Sequence, residues 1–174
     1  MEDCSRYHGR IIRNVKVGPS PAWLSERLER IGQRPINNIV DVTNYILMET
    51  GQPLHAFDLD MIEKNDGMAA VEVRRARQGE TLVCLDGEER QLQNDQLVIA
   101  DPSGPIALAG VIGGLATEVS ESTKDVFLES AYFEPTLVRR ASKRHDLHTE
   151  SAKRFERGAD PGMALRASDR CAKI

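Results

Sequence analysis

The eight residues Val126 to Phe133, VFLESAYF, constrain this chain more than any other run. In an extended strand successive side chains point to opposite faces, so Phe127, Glu129, Ala131 and Phe133 share one face. A carboxylate on an apolar face is costly to bury unless something hydrogen-bonds to it. The fold must therefore bring Glu129 a partner, either a structural one, such as a backbone donor or an arginine like Arg34, or a ligand. Both readings stand at this point.

The rest of the chain supplies elements to pack against that strand. Arg10 to Val17 reads as a strand, and Ser20-Pro21 as the cap and first position of a helix carrying Leu24, Leu28 and Ile31, which Gly32 ends. Asn37 to Thr50 reads as a second helix before Gly51, although Ile39, Val40, Val42, Thr43 and Ile46 are β-branched. Short strands are expected at Ala70–Arg74, Thr81–Leu85, Glu89–Leu92, Leu97–Ala100 and Ile106–Val111, with a two-residue turn at Asp86-Gly87 and another turn at Pro102-Ser103-Gly104. Pro135, Thr149 and Asp160-Pro161 look like successive helix starts, and Gly158 closes the second of them. The fold class is α+β: a β-rich barrel-like or mixed-sheet core, mostly antiparallel or mixed, with helices near both termini.

With 174 residues, 40% of them hydrophobic, the chain suits one buried core, and residues 1–174 are read as a single domain. The longest apolar stretch, Ile106 to Ile112, falls well short of the roughly 20 residues that a bilayer span requires. The first ten residues hold no apolar segment that could act as a secretory signal. A soluble, cytoplasmic protein without a membrane partner is expected. Cys4, Cys84 and Cys171 are odd in number and far apart, so free thiols are favoured. The one compact metal candidate, His145-Asp146-Leu147-His148, has no cysteine nearby, and no metal site is expected.

Charge is unevenly distributed. Residues 37 to 138 carry six bases and eighteen acids, whereas Arg139 to Gly158 carry seven bases and three acids. Such a segment on an acidic domain is either a solvated helix face or an edge that guides a polyanion, suiting an RNA end better than a long duplex.

Other candidate residues are ambiguous taken singly. His55, in QPLHAFD, reads as a packed structural histidine or a catalytic one. The glycines of Ala109-Gly110-Val111-Ile112-Gly113-Gly114 allow close backbone approach to a ligand, or simply a strand bend or bulge, and their spacing is not that of a dinucleotide fingerprint. No Gly-x-Ser-x-Gly nucleophile motif occurs.

Four longer segments carry more together than apart: RPINNIVDVTNYILMETGQPLHAFD (Arg34 to Asp58), LAGVIGG (Leu108 to Gly114), VFLESAYFEP (Val126 to Pro135) and RHDLHTESAKRFERGADP (Arg144 to Pro161). In this order they resemble the editing module of the beta chain of bacterial phenylalanyl-tRNA synthetase. The resemblance covers nearly the whole chain and implies a domain excised from a longer beta chain. It implies a β-barrel-like core with helices, and hydrolysis of tyrosine wrongly attached to tRNA(Phe). The pocket residues it implies are Arg34, Asn44, His55, Gly113, Glu129, Thr149 and Ser151. His55 and Thr149 would position the ester and water; Arg34, Asn44, Gly113, Glu129 and Ser151 would bind the substrate, a backbone group near Gly113 aiding Glu129. Many relatives have the order Ala-Ser where Ser151-Ala152 stands, which makes this wall more polar. The implied partners are the 3′ end of tRNA(Phe) carrying tyrosine, the synthetase alpha chain and the remaining beta-chain domains. No cofactor is implied for the domain, and ATP and magnesium for the parent enzyme. A non-hydrolytic tRNA-positioning or interaction module is the alternative.

Overall fold

The computed structural model describes residues 3–174. In chain order the elements are β1 (Cys4–Ile12), α1 (Ala22–Arg30), α2 (Asn38–Thr50), β2 (Leu54–Asp58), β3 (Lys64–Asn65), β4 (Met68–Ala69), β5 (Glu72–Arg75), β6 (Thr81–Val83), β7 (Glu89–Gln91), β8 (Leu97–Asp101), β9 (Gly104–Leu108), β10 (Ile112–Gly113), β11 (Val126–Phe133), α3 (Pro135–Arg144), α4 (Glu150–Phe155) and α5 (Met163–Cys171). Every strand pairing is antiparallel. One sheet runs β1-β11-β2 and a second β10-β9-β8-β5, beside the hairpins β3-β4 and β6-β7. The α+β class is as expected, with helices towards both ends. The barrel-like alternative is corrected, because both larger sheets are open, ending in edge strands instead of closing on themselves.

β11 is the wall between two apolar clusters. Ala131 and Phe133 pack with Phe57, Val98, Ile99, Leu108 and Phe155 on one side. Val126 and Leu128 pack with Ile46, Ala56, Ala167 and Cys171 on the other. Burial on both faces explains why this strand reads as a nearly continuous apolar run, and why its one carboxylate stands out.

Local chemistry sets the boundaries. Asn37 caps α2 by accepting from the Val40 N–H at 2.9 Å, and Gly51 ends it with φ of 75°. The cap outweighs the β-branched residues because this helix also buries Ile46 and Leu47. The start of α1 differs from expectation. Ser20 does not cap it but donates to the Asp41 carboxylate at 2.5 Å, tying the loop to α2, and Pro21 occupies the cap position. β1 lies six residues earlier than Arg10–Val17. It ends where Asn14 turns into the left-handed region, φ 56°, with its N–H bound to Asp125 at 3.0 Å. The expected two-residue turn at Asp86-Gly87 is a longer loop, Cys84 donating from its N–H to the Glu88 carbonyl and Gly87 taking φ of 84°. α5 starts at Met163, two residues beyond Pro161, after Asp160 has accepted from the Gly162 N–H.

Candidate functional site

The register of the three-stranded sheet builds the centre of the site. Glu129 stands opposite Gly9 on β1 and opposite His55 on β2. Tyr7, which pairs with Ala131, is therefore the diagonal neighbour of Glu129 on the same face. Its phenol donates to Oε2 of Glu129 at 3.0 Å. Gly9 has no side chain for a packing reason, since a Cβ there would lie 2.5 Å from the Phe127 ring. Among the described residues, Oε1 of Glu129 has no hydrogen-bond partner. Desolvation pushes the Glu129 carboxyl up to about 8, against a smaller lowering by the Tyr7 bond, so the group holds its proton at neutral pH. The Tyr7 hydroxyl is pushed strongly upward by its own burial and by Glu129 and remains protonated.

His55 packs edge-on against Phe57, ring centroids 4.4 Å apart. It also lies against Gly113, where a Cβ would fall 2.5 Å from Cε1 and 2.6 Å from Nε2. Gly113 is thus glycine because the imidazole edge occupies the space a side chain would need. Its carbonyl accepts from the Leu85 N–H at 3.0 Å. Desolvation pushes His55 down to about 4, so the ring is neutral at pH 7.

These groups open into a cavity of about 460 Å³. One face of α2, namely Val40, Thr43, Asn44 and Leu47 at helical spacing, forms one wall. Ala107 to Gly113 of the second sheet and Thr149, Ser151 and Phe155 of the α4 segment form others. Asn44, His55, Gly113, Glu129, Thr149 and Ser151 all line it. Arg34 does not. It lies exposed on the loop between α1 and α2, whose Gln33 and Ile36 reach the cavity in its place. Arg34 is also not the partner of Glu129; that partner is Tyr7.

The hydroxyls along the wall are used unequally. Thr149 donates to the Val111 carbonyl at 2.8 Å and accepts from the Ala152 N–H at 3.1 Å, so it anchors α4 and has no proton left to offer. Among the described residues, the Asn44 amide and the Ser151 hydroxyl make no side-chain hydrogen bonds. The metal candidate comes apart, with His145 meeting Gln96 at 2.8 Å and His148 meeting Asp146 at 3.2 Å. Among the described residues no three His, Cys, Asp or Glu side chains gather as metal ligands, and no helix is long and apolar enough to cross a membrane.

Tyr7 is the site residue that sequence reasoning missed. Residues 4–9 show no clean apolar alternation, and the apolar signal of Arg10–Val17 drew the strand too far along the chain.

An apolar cavity with a few convergent polar groups, one a carboxyl and one an imidazole with shifted protonation, is the candidate ligand site of this α+β scaffold. The family model of the B3/4 domain matches residues 3–174, and the chain belongs to that family. It is 54% identical over 99% of its length to the phenylalanine-tRNA ligase beta subunit of Anaeromyxobacter dehalogenans, and 51% identical over 99% to that of Protochlamydia amoebophila. The chain spans 21% of the length of each of these relatives. A crystal structure of an N-terminal fragment of the phenylalanyl-tRNA synthetase beta-subunit from Pyrococcus horikoshii is similar in fold, with a TM-score of 0.54 and 14% identity, covering 83% of this chain and 46% of that one.

Proposed function

We propose that this chain is the editing domain of a phenylalanine-tRNA ligase beta subunit and hydrolyses the ester of tyrosine wrongly attached to tRNA(Phe). The observation that carries this reading is the half-satisfied Glu129 carboxyl in an apolar cavity, beside a neutral His55. A hydrophobic synthetic site built for phenylalanine cannot strongly reject an isostere that merely adds a hydroxyl. A second cavity that requires the hydroxyl restores the discrimination. Glu129, protonated and bonded to Tyr7 through one oxygen, offers the other oxygen to a phenol, donating to it or accepting from it. Phenylalanine in the same place leaves that group unpaired, a penalty of about 1–3 kcal/mol.

In the reaction, a water oxygen attacks the ester carbonyl, the bond to the ribose oxygen breaks, and tyrosine and deacylated tRNA leave. His55 positions the water or the ester with its neutral imidazole. Its downward shift leaves it a weak base, and positioning alone supplies large accelerations. Asn44 and Ser151 take the polar contacts to ester and ribose that the engaged Thr149 cannot, while Thr149 fixes the α4 wall. The step uses no cofactor; ATP and magnesium serve the ligation reaction of the whole enzyme. The partners are the 3′ end of tRNA(Phe), the alpha chain and the remaining beta-chain domains, with residues 1–174 acting as one domain among them.

The test is deacylation of tyrosyl-tRNA and phenylalanyl-tRNA by the assembled enzyme carrying this chain, with and without His55→Ala. The wild type should release tyrosine much faster than phenylalanine, and His55→Ala should slow both while keeping most of their ratio. Equal tyrosine release with and without the substitution would remove His55 from the mechanism, and no tyrosine release by either would refute the editing reading.

A further inference from the structure

We propose a second site on this chain, a cleft beside α4 that holds the backbone phosphate of a single RNA strand entering the cavity. The cleft measures about 300 Å³ and is lined by Arg139, Ser142, Lys143, His148, Glu156 and Arg157. Its three cations belong to the part of the basic segment that forms no ion pair. Of the seven bases between Arg139 and Gly158, Arg144 is bound to Asp95, while Lys153 and Arg154 are bound to Glu150. Among the described residues, Arg139, Arg140, Lys143 and Arg157 pair with no carboxylate. Three of these four line the one cleft.

Folding does not account for the arrangement. Arg139, Ser142 and Lys143 sit at i, i+3 and i+4 on α3, so two like charges face each other one turn apart, a mildly destabilising placement. Ser142 is spent on structure, donating to the Leu147 carbonyl at 2.5 Å, and so holds the loop carrying His148 over the cleft. His148 is exposed beside Asp146. Glu156 is the one carboxylate in the cleft, and three cations against it leave a net positive site. A site with two guanidinium groups and an ammonium around a small volume fits a phosphate, which the planar Arg fork can grip through two bonds.

A strand of RNA is favoured over an isolated anion by position. Thr149, Glu150, Ser151 and Phe155 line the large cavity and the next two residues, Glu156 and Arg157, line the cleft. From Ser151 to Arg157 the helical rise is about 9 Å, so a strand seated in the cleft reaches the cavity within a few nucleotides. The acidic stretch from 37 to 138 repels a polyanion from its own part of the surface, which favours binding at the basic segment. The inference rests on the editing reading for its purpose and on the cleft itself for its chemistry.

The test measures binding of the 174-residue chain to a fluorescent single-stranded RNA octamer ending in CCA and carrying no amino acid, across a salt series. Because that RNA bears no ester, the outcome is independent of whether the cavity hydrolyses anything. The triple variant Arg139→Gln, Lys143→Gln, Arg157→Gln should bind at least tenfold more weakly, and its slope of log affinity against log salt should flatten by about 0.7 per cation removed. Arg140→Gln, which removes the one unpaired cation of this segment outside the cleft, should change affinity less than twofold, and circular dichroism of each variant checks that it is folded. Equal affinity and slope for wild type and triple variant would overturn the proposal, as would an equal loss in Arg140→Gln. Inorganic phosphate at millimolar concentration should compete weakly; if it binds in the cleft while the RNA octamer does not, the site is for a free anion and the RNA proposal fails.

Discussion

Glu129 and Ser130 are adjacent buried polar residues on β11, and they face different cores. Ser130 donates to the Ala164 carbonyl at 2.7 Å, stitching the strand to α5 and leaving nothing of the hydroxyl proton unused. Glu129 is held on one oxygen by Tyr7 and opens its other side to the cavity. For stability alone the second arrangement is the poorer one, because a buried carboxyl with spare hydrogen-bonding capacity pays for desolvation without full return. The contrast separates two uses of a buried polar group: one completes the fold, and the other is completed by a ligand.

The sharpest way to disturb the ligand side without touching Glu129 is Gly113→Ala. The added Cβ would lie 2.5 Å from the His55 ring, and Phe57 already packs against that ring at 4.4 Å between centroids. The imidazole must shift, and misplacement by about 1 Å is worth on the order of a hundredfold in rate. Hydrolysis of tyrosyl-tRNA and phenylalanyl-tRNA should fall together by roughly that factor in a deacylation assay. Unchanged rates would mean that the position of His55 does not matter to the chemistry.

The structural side is tested by Ser130→Ala. It removes the bond that ties β11 to α5 and should lower unfolding free energy by about 0.5–1.5 kcal/mol in urea denaturation, while the preference for tyrosine stays as it was. A shifted preference with normal stability would erase the distinction between the two residues.

A graded effect separates them by pH. The Glu129 carboxyl moves from its ordinary 4.5 up to about 8 in the folded chain. Its favourable contribution is complete below 4.5 and is lost as pH rises towards 8, because the unfolded chain ionises the group more readily. Against Glu129→Gln, which cannot ionise, the wild type should lose stability across that window by up to about 1.4 kcal/mol per pH unit. Denaturation curves at pH 5, 6, 7 and 8 check this. A constant difference between the two proteins would place the carboxyl in a wetter setting than the structure gives it.

Much of this arrangement is legible in the sequence. Alternation in VFLESAYF already put a carboxylate on an apolar face, and β11 spans that run as expected. Asn37, Gly51, Pro135 and Thr149 bound helices where their backbone chemistry says they should. The partner of Glu129 was not legible, because it depends on the long-range register that sets Tyr7 diagonally across from it. β2 was missed for a similar reason: five residues with a proline before them carry a weak local signal, and pairing with β11 makes them a strand. Gly113 was expected to help Glu129, whereas the structure sets it against His55, a relation visible only once β10 and β2 are brought together. Thr149 was legible as the start of α4, but that its hydroxyl is fully engaged was hidden, since the bond to the Val111 carbonyl is long-range.

The central claim is that Glu129 reads the tyrosine hydroxyl, and the ratio of deacylation rates for tyrosyl-tRNA and phenylalanyl-tRNA in the assembled enzyme tests it most directly. Glu129→Ala removes the partner of the phenol and the penalty that excludes phenylalanine. The ratio should shrink by about 1 to 3 kcal/mol, roughly fivefold to somewhat over a hundredfold, as the two esters become more alike as substrates. Equal slowing of both esters with the ratio intact would contradict the claim and assign Glu129 to structure or catalysis.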